Sequence, residues 1–215
     1  SIFGVIPAGS GNDFAKSLGI ETLDDITSSL RNDNVKFIDL WEINNRIFCS
    51  IANIGFSSYA NKWANNRKFL RGKLLYFASV FMTIINFRPI DLRITIDDGS
   101  IIEKKVWLIA VANTSLFGGG MNIAPYASPF DGFLDLISVG PVKRLEFLKT
   151  FPSVYRGEHT NHPSVSFHRG KNIYIENKKN IDHSIFADGE DFGCLPVKIS
   201  LSKFKLKQLV PKKLS

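Results

Sequence analysis

The chain has 215 residues, 44% of them hydrophobic and 22% charged, which predicts a globular protein with one large or two small domains. Its net charge of +7 favours an anionic partner, such as a nucleotide, a phospholipid headgroup or a membrane surface, although solubility alone explains the charge equally well. Two distant cysteines, Cys49 and Cys194, argue against a disulfide framework or a zinc cluster, and the longest apolar run, residues 74–85, is too short to span a bilayer.

The first part of the chain has the pattern of an α/β domain. Residues 2–6 predict a strand that leads into the glycine-rich turn PAGSGNDF. Asn12 or Asp13 is expected to begin a short helix that ends at Gly19, and Thr22 is expected to begin a second helix. On one face this second helix carries three apolar side chains, those of Leu23, Ile26 and Leu30.

From position 35 onward, short strands rich in β-branched and aromatic residues dominate. They are predicted at residues 35–40, 46–54, 90–96, 101–112, 133–139, 164–167, 172–176, 184–187 and 197–201. Residues 97–99 are expected to form a hairpin turn. Helices are predicted at residues 73–86 and 142–151. So many short strands indicate a β-sandwich or a β-barrel.

The opening turn has the features of a phosphate site. Gly9 and Gly11 permit close approach of the backbone, Ser10 offers a hydroxyl group, and the following helix directs its N–H groups toward the turn. However, Phe14 stands where a dinucleotide-binding turn has its third glycine, and the lysine of a P-loop is missing. From these residues alone, phosphate binding and a purely structural turn are equally supported.

A second candidate site contains the triple glycine, residues 118–120, and the carboxylate of Asp131. Three consecutive glycines indicate a sharp bend or a close backbone approach. A carboxylate in a turn among backbone carbonyls suits Mg²⁺, which prefers oxygen ligands. The Asp-Gly pair is also ordinary tight-turn chemistry, which the residues alone favour.

A third candidate site is the acidic turn formed by Asp188, Gly189, Glu190 and Asp191, which follows a predicted apolar strand. Clustered carboxylates raise one another's pKa, which suits a general base, or together they hold a cation. The alternative is a solvated acidic loop.

Taken together, these segments resemble those of bacterial diacylglycerol-kinase-like lipid kinases, whose relatives include sphingosine and ceramide kinases. The chain contains, in the order of that family, PAGSGNDFAKSLG, NIGFSSYAN, VANTSLFGGGMNIAPYASPFDGFLDL and ADGE. The resemblance covers essentially the whole chain. It favours phosphate binding at the opening turn over the purely structural interpretation.

The resemblance implies an α+β protein with a mainly antiparallel β-sandwich. Residues 1–38 would be the remnant of an N-terminal α/β nucleotide-binding domain, residues 39–200 a lipid-binding sandwich, and residues 201–215 a C-terminal strand that returns to the first domain. The nucleotide would lie in the cleft between the two domains.

The resemblance also assigns roles to particular residues. In the opening turn, the ATP-binding residues would be Ser10, Gly9, Gly11 and Asn12. The magnesium site would consist of the Asp131 carboxylate and the main-chain carbonyls of Ser128 and Phe133. Glu190 would accept the proton of the lipid hydroxyl, and Asp188 would support the metal and the nucleotide.

The activity implied is transfer of the γ-phosphate of ATP, with Mg²⁺, to the hydroxyl of a diacylglycerol-like membrane lipid. A second glycine-rich element of the family, reading Gly-Gly-Asp-Gly-Thr, has no counterpart here, so we expect an N-terminally truncated chain that is inactive by itself. Two alternatives stay open: a non-catalytic lipid-binding module, and a relative that phosphorylates a sphingoid or another hydroxylated acceptor. A cytoplasmic protein with peripheral contact at the anionic inner membrane face is expected. No nucleic-acid partner is expected, and a homodimer is one option.

Overall fold

The computed structural model describes residues 1–9, 11–55, 87–97, 99–178 and 183–212. Ser10 and the helix predicted at residues 73–86 therefore lie outside the described residues. In the described part of the chain, no helix has the length and apolar character needed to cross a membrane.

The N-terminal segment contains two helices, α1 (Asp13–Ser17) and α2 (Leu23–Asn32). The Thr22 side chain accepts a hydrogen bond from the Asp25 N–H, and the Asp25 carboxylate accepts one from the Thr22 N–H, which forms a capping box at the start of α2. The strand predicted at residues 2–6 is wrong, because only Phe3 makes a β-bridge, parallel to Gln208. This segment therefore runs alongside the sandwich without forming a strand.

Fourteen strands are described. Those at residues 116–117, 121–122 and 190–194 were not predicted, and the others overlap the predicted strands. In chain order they are β1 (Val35–Ile43), β2 (Arg46–Phe48), β3 (Ile51–Gly55), β4 (Ile90–Ile96), β5 (Ser100–Val106), β6 (Leu108–Ala112), β7 (Leu116–Phe117), β8 (Met121–Asn122), β9 (Leu134–Val139), β10 (Val165–Gly170), β11 (Asn172–Asn177), β12 (Ser184–Ala187), β13 (Glu190–Cys194) and β14 (Val197–Leu209). Helix α3 (Arg144–Thr150) follows β9 and continues into two short 3-10 helices, Phe151–Arg156 and Glu158–Asn161.

The strands form two six-stranded antiparallel sheets. The first sheet has the order β2-β1-β14-β11-β4-β5, and the second has the order β10-β9-β6-β3-β12-β13. A two-stranded ribbon, β7-β8, carries the triple glycine. The largest buried cluster takes side chains from both sheets, among them Trp41, Ile94, Ile109 and Ile185. A mainly antiparallel β-sandwich is therefore confirmed.

Two predicted strands are each broken in the structure. The strand predicted at residues 46–54 stops at Cys49 and Ser50, because the Asp188 carboxylate binds the N–H groups of both residues. The strand predicted at residues 101–112 is interrupted at Trp107, where the chain leaves the first sheet and enters the second. The break at residues 49 and 50 thus belongs to the candidate site.

The long strand β14 connects the sandwich to the N-terminal segment. It pairs with β1 from Ile199 to Leu209, and the Phe3 N–H donates to the Lys207 carbonyl at 2.8 Å. A small apolar cluster of α1, β1, β14 and a loop residue, Phe130, lies beside this contact and includes Ala15, Leu18, Ile38 and Leu206. Because β14 is one continuous strand through position 200, its hydrogen bonding shows no domain boundary there. The domain limits at residues 38 and 200 stay predictions.

Candidate active site

The glycine turn and the triple glycine, which are far apart in sequence, are in contact. The Gly119 N–H donates to Asp13 Oδ2 at 2.7 Å, which attaches the start of α1 to the triple glycine. A Cβ atom at Gly11 would lie 3.4 Å from the Gly119 Cα, so the two backbones approach closely. Asn12 does not cap α1 with its side chain; it adopts a left-handed conformation (φ 57°), and its Oδ1 accepts from the Gly9 N–H at 2.7 Å.

The triple glycine has a backbone that other residues rarely adopt. Gly118, Gly119 and Gly120 have φ values of 64°, 89° and 102°. A Cβ atom at Gly119 or Gly120 would meet no atom within 4 Å, so the surface above them is open. Glycine is needed here for its conformation rather than for its small size. The loop therefore presents exposed backbone beside the opening turn.

Asp131 lies in the loop before β9, and its carboxylate already has two partners. Oδ1 accepts from the Phe133 N–H at 3.0 Å, and Oδ2 forms an ion pair with Arg169 Nη2. Arg169 also lies 3.6 Å from the Asp135 carboxylate. Burial raises the pKa of Asp135, the positive charge of Arg169 lowers it, and the negative charge of Asp131 raises it.

The donor set around Asp131 fits a magnesium ion in its chemistry. The Asp131 side chain is 29% exposed, and the carbonyls of Ser128 and Phe133 would add hard oxygen ligands close to it in sequence. The described residues contain no group of three or more acidic, histidine or cysteine side chains suited to a metal. Main-chain carbonyls and water would therefore have to complete the coordination, and Arg169 would have to leave Oδ2.

Asp188 anchors the acidic turn to the sandwich. Its carboxylate accepts hydrogen bonds from three consecutive backbone N–H groups, those of Cys49 at 2.7 Å, Ser50 at 2.9 Å and Ile51 at 3.3 Å. Burial, and then the charge of Asp188, raises the pKa of the Cys49 thiol to about 12. The observed contacts of Asp188 are structural, so its predicted role toward the metal and the nucleotide stays a prediction.

Glu190 is the exposed carboxylate of the same turn, with 74% of its side chain exposed. Arg46 Nη2 lies 2.9 Å from Glu190 Oε2, and the Arg46 guanidinium also stacks on the Phe192 ring at 4.0 Å. An ion pair this exposed contributes little stability. Glu190 is thus accessible to a substrate, with the Arg46 guanidinium beside its carboxylate.

Two buried polar residues connect the acidic turn to the Asp131 loop. The Asn113 amide group donates to the carbonyls of Asp39 at 2.9 Å and Cys49 at 2.7 Å, and its Oδ1 accepts from Trp41 Nε1 at 2.8 Å. The Asp39 carboxylate accepts from the Gly132 N–H at 2.7 Å and pairs with Lys205 Nζ at 2.7 Å. These contacts link the segments that carry Asp188 and Asp131 through the core.

The structure thus joins the opening turn to the triple glycine, links the Asp188 turn to the Asp131 loop, and adds residues that the sequence patterns did not indicate. Ser10 lies outside the described residues. The added residues are Asp39, Asn113, Arg46, Arg169 and Lys205. For Asp39, an acidic residue inside the apolar strand KFIDLW was a usable signal, because buried carboxylates need partners. For the others, no pattern in the sequence marks the role.

Comparisons with known proteins match this arrangement. Residues 50–215 match the family model of the YegS C-terminal NAD kinase beta sandwich-like domain, and residues 2–43 match the diacylglycerol kinase catalytic domain. The chain is 31% identical over 217 aligned positions to a diacylglycerol kinase of Mycobacterium tuberculosis, covering 97% of this chain and 69% of that protein. It is 28% identical over 196 positions to a diacylglycerol kinase of Bacillus subtilis, covering 90% and 64%. The chain spans about two thirds of the length of these relatives.

Solved structures share the fold over the whole chain. A diacylglycerol kinase from Bacillus anthracis superimposes with a TM-score of 0.72 at 20% identity, covering 100% of this chain and 68% of that one. A second structure from the same organism gives a TM-score of 0.76 at 22% identity, covering 100% and 71%. Both family models match in chain order, and nearly the whole chain is similar to curated diacylglycerol kinases, so the chain belongs to the diacylglycerol kinase family.

Proposed function

We propose that the protein containing this chain transfers the γ-phosphate of ATP to the hydroxyl group of a diacylglycerol-like lipid. One observation carries the proposal: the glycine turn and the triple glycine are joined by the Asp13–Gly119 hydrogen bond of 2.7 Å. Two glycine-rich backbones in contact present exposed main chain that a phosphate chain can approach. The curated relatives, which carry the name diacylglycerol kinase, support a lipid acceptor.

In this proposal the opening turn binds the nucleotide. Ser10 contacts ATP, and the backbone of Gly9 and Gly11 allows the phosphates to approach. Asn12 holds the turn through its bond to the Gly9 N–H. Phosphoryl transfer depends mainly on positioning the reactants and on neutralising the charge of the phosphates. The turn therefore contributes to the reaction by holding the phosphates in place.

Glu190 is proposed as the general base. It accepts the proton of the lipid hydroxyl while that oxygen bonds to the γ-phosphorus, and the bond from this phosphorus to the bridging oxygen breaks and releases ADP. Arg46 orients the Glu190 carboxylate through the 2.9 Å ion pair. Asp188 fixes the turn that carries Glu190 by binding three backbone N–H groups.

Asp131, with the carbonyls of Ser128 and Phe133, is proposed to hold Mg²⁺. When bound, this ion supplies positive charge that offsets the negative charge of the phosphates. Asp39 positions the loop, since its carboxylate binds the Gly132 N–H at 2.7 Å. Arg169 neutralises Asp131 until the ion replaces it.

An apolar cavity supports a lipid acceptor. It lies between the outer surface of the second sheet and α3, and the atom-free space between its walls, part of it open to solvent, is about 680 Å³. Its lining includes Phe117, Ile123, Phe147, Val154 and Val165. Because Phe117 directly precedes the triple glycine, an acyl chain in this cavity would leave the lipid hydroxyl near the proposed phosphate site. We therefore propose that the cavity receives an acyl chain.

The test is phosphorylation of diacylglycerol in mixed micelles with radiolabelled ATP and Mg²⁺, using the protein that contains this chain. Glu190→Gln should lower turnover by about 10²- to 10⁴-fold and leave ATP affinity nearly unchanged, because the carboxylate acts on the acceptor proton. Glu158→Gln is the matched control, since Glu158 is an exposed carboxylate that also pairs with an arginine, Arg156. This control should keep full activity.

Normal turnover of the Glu190→Gln protein would contradict the base assignment. A wild-type protein that binds lipid but neither binds nor hydrolyses ATP would favour the non-catalytic lipid-binding module. Phosphorylation of a sphingoid base in preference to diacylglycerol would support the proposed phosphoryl transfer but show that the acceptor is a sphingoid base. The 215-residue chain alone is expected to show no phosphorylation in the same assay.

A further inference from the structure

Helix α3 has apolar side chains on two faces. On the inner face, the Phe147 ring stacks on Trp107 with ring centroids 5.6 Å apart and on Phe151 with centroids 5.8 Å apart, and both phenylalanines line the apolar cavity. On the outer face, Leu145 is 74% exposed and Leu148 is 41% exposed. The outer face of a surface helix is normally polar, so two adjacent exposed leucines need an explanation.

The outer face is also positively charged. Lys143, Arg144 and Lys149 are exposed beside the two leucines. The helix has one acidic residue, Glu146, whose Oε1 lies 3.3 Å from His162 Nε2. Within the described ranges, none of the three cations has an acidic partner. Three cations against one carboxylate leave an excess of positive charge, and leucines beside such an excess are typical of a surface that rests on an anionic bilayer.

The position of the cavity favours a bilayer over a protein as the partner. A shallow groove on the outer side of α3 is lined by three cations, Lys143, Arg144 and Lys149, and by one carboxylate, Glu146. The rest of its lining is Leu145, Thr150 and His162. Thr150 and His162 also line the apolar cavity behind the helix. The charged outer groove and the cavity therefore adjoin at these two residues. A lipid headgroup in the groove would have an apolar space next to it for its acyl chain.

We propose that the outer face of α3 (Leu145, Leu148 and Lys149), with Arg144 and the preceding residue Lys143 beside it, docks on the anionic surface of a lipid bilayer. The leucines enter the boundary between headgroups and acyl chains, and the three cations contact the anionic headgroups. The benefit of this docking for catalysis rests on the proposed lipid kinase function. The docking itself requires no nucleotide.

A second basic and aromatic surface provides a matched control. On β1 and β14, Phe37 and Phe204 are exposed, Lys207 lies 5.5 Å from the Phe37 ring, and Lys203 lies 5.1 Å from the Phe204 ring. This surface has similar composition and charge. Among the described residues, it has no part in lining the apolar cavity. Removing the charge of this second surface tests whether any basic surface of the chain is sufficient for binding to anionic vesicles.

The experiment is flotation of the 215-residue chain, without ATP, on phosphatidylcholine vesicles that contain or lack phosphatidylglycerol. We expect binding only with phosphatidylglycerol, and weaker binding as salt is raised. The variant Lys143→Gln/Arg144→Gln/Lys149→Gln should bind about 100-fold more weakly, since each cation near an anionic surface is worth about fivefold. Leu145→Ser/Leu148→Ser should also bind at least about tenfold more weakly. The control Lys203→Gln/Phe204→Ser/Lys207→Gln should bind within about threefold of wild type.

A second measurement keeps the test independent of folding defects. A fluorophore attached to Leu145→Cys in a Cys194→Ser background should be quenched by brominated lipid, whereas one at Ile101→Cys on β5 should not. Three results would each overturn the proposal. They are no binding of the wild-type chain to anionic vesicles, α3 variants that bind as strongly as wild type, and an equal loss of vesicle binding in the control variant. Binding through α3, combined with no kinase activity of the protein that contains this chain in the micelle assay, would refute the proposed function and leave this inference standing. If the same face binds an acidic protein and does not bind vesicles, the bilayer is not the partner of this face.

Discussion

Asp13 and Gly119 are separated by 106 positions and are joined by a hydrogen bond of 2.7 Å. This bond places the start of α1 against the triple glycine, where Gly119 has a φ of 89°. Any residue other than glycine is strained at such an angle, by about 1–3 kcal/mol. The contact between the two glycine-rich segments therefore depends on the backbone conformation of one residue.

Gly119→Ala should lower the free energy of unfolding by about 1–3 kcal/mol and weaken binding of ATP, because the strained loop moves away from Asp13. Chemical denaturation and titration with a fluorescent ATP analogue measure the two effects. The control is Gly4→Ala, whose Cβ would make an ordinary contact of 3.8 Å with Leu209. Equal stability of both variants would show that the loop tolerates a side chain.

Asp188→Asn should destabilise the chain by about 1–3 kcal/mol, because an amide cannot accept all three backbone N–H groups at residues 49–51. It should also lower the pKa of Cys49 from about 12, since the charge of Asp188 is one cause of the raised value; burial, the larger cause, remains. Alkylation of Cys49 as a function of pH, in a Cys194→Ser background, reports the change. Asp191→Asn, in the same turn, should leave the Cys49 profile unaltered.

Arg169→Gln should increase the affinity of the Asp131 site for Mn²⁺, used as a spectroscopic substitute for Mg²⁺, by about tenfold. The guanidinium occupies Asp131 Oδ2 and repels a cation, and its removal frees the oxygen. Electron paramagnetic resonance counts free Mn²⁺ directly. Asp131→Asn should abolish this binding, and Arg156→Gln, at an exposed arginine paired with Glu158, should not affect it. Unchanged affinity in Arg169→Gln would mean that the ion binds elsewhere.

His159 should make the fold less stable in acid. The side chain is 3% exposed, its Nε2 lies 3.1 Å from the Ile123 carbonyl, and burial lowers its pKa below 6.5. The unfolded chain therefore binds the proton more readily, so the free energy of unfolding falls as the pH drops below about 6.5, by up to about 1.4 kcal/mol per pH unit per group. His168, whose pKa is lowered by burial and by the charge of Lys104, adds to this slope.

Denaturation curves between neutral pH and about pH 5 test the histidine prediction. His159→Gln keeps a donor for the Ile123 carbonyl. It should reduce the slope of the free energy of unfolding against pH by up to the contribution of one proton, and His168→Gln should reduce this slope independently. A slope that is identical in wild type and in the His159→Gln protein would contradict the assignment.

Val154→Phe should fill part of the apolar cavity, whose lining includes Val154. We expect turnover of long-chain diacylglycerol to fall by at least about tenfold and turnover of a short-chain analogue to change little, at a stability cost of about 1–3 kcal/mol from overpacking. Micelle assays with the two acceptors measure the ratio. Ile101→Phe, at a site that is already exposed, is the control. An equal loss for both acceptors would place the acyl chain outside this cavity.

The sandwich could be predicted because alternation in the sequence matches burial. In β4, Ile90, Leu92, Ile94 and Ile96 are buried and the residues between them are more exposed. The break at Trp107 could not be predicted, since the apolar pattern continues through it and only the change of sheet interrupts the strand. The run at residues 2–6 has strand composition, but a single bridge at Phe3 is all the pairing it makes within the described part of the chain.

Candidate site residues could be named from the sequence where a short motif marks them, and their roles stay predictions. The glycine turn, the triple glycine, Asp131 and the Asp188 turn were all visible in the sequence, and the resemblance to one family related them. Asn113 could not be found this way, because its partner Asp39 lies 74 positions away and it acts on backbone groups that every residue possesses. Its role appears only when the strands that carry those groups are packed together.

The three hydrogen bonds of Asn113 give a criterion for comparing genes. Its amide needs two donors and one acceptor on a single short side chain, so neither aspartate nor leucine reproduces the contacts to Asp39, Cys49 and Trp41. A related sequence with another residue at this position would lack the connection between the two acidic segments even where every glycine motif is intact. The residue at this position therefore separates relatives that can build this connection from those that cannot.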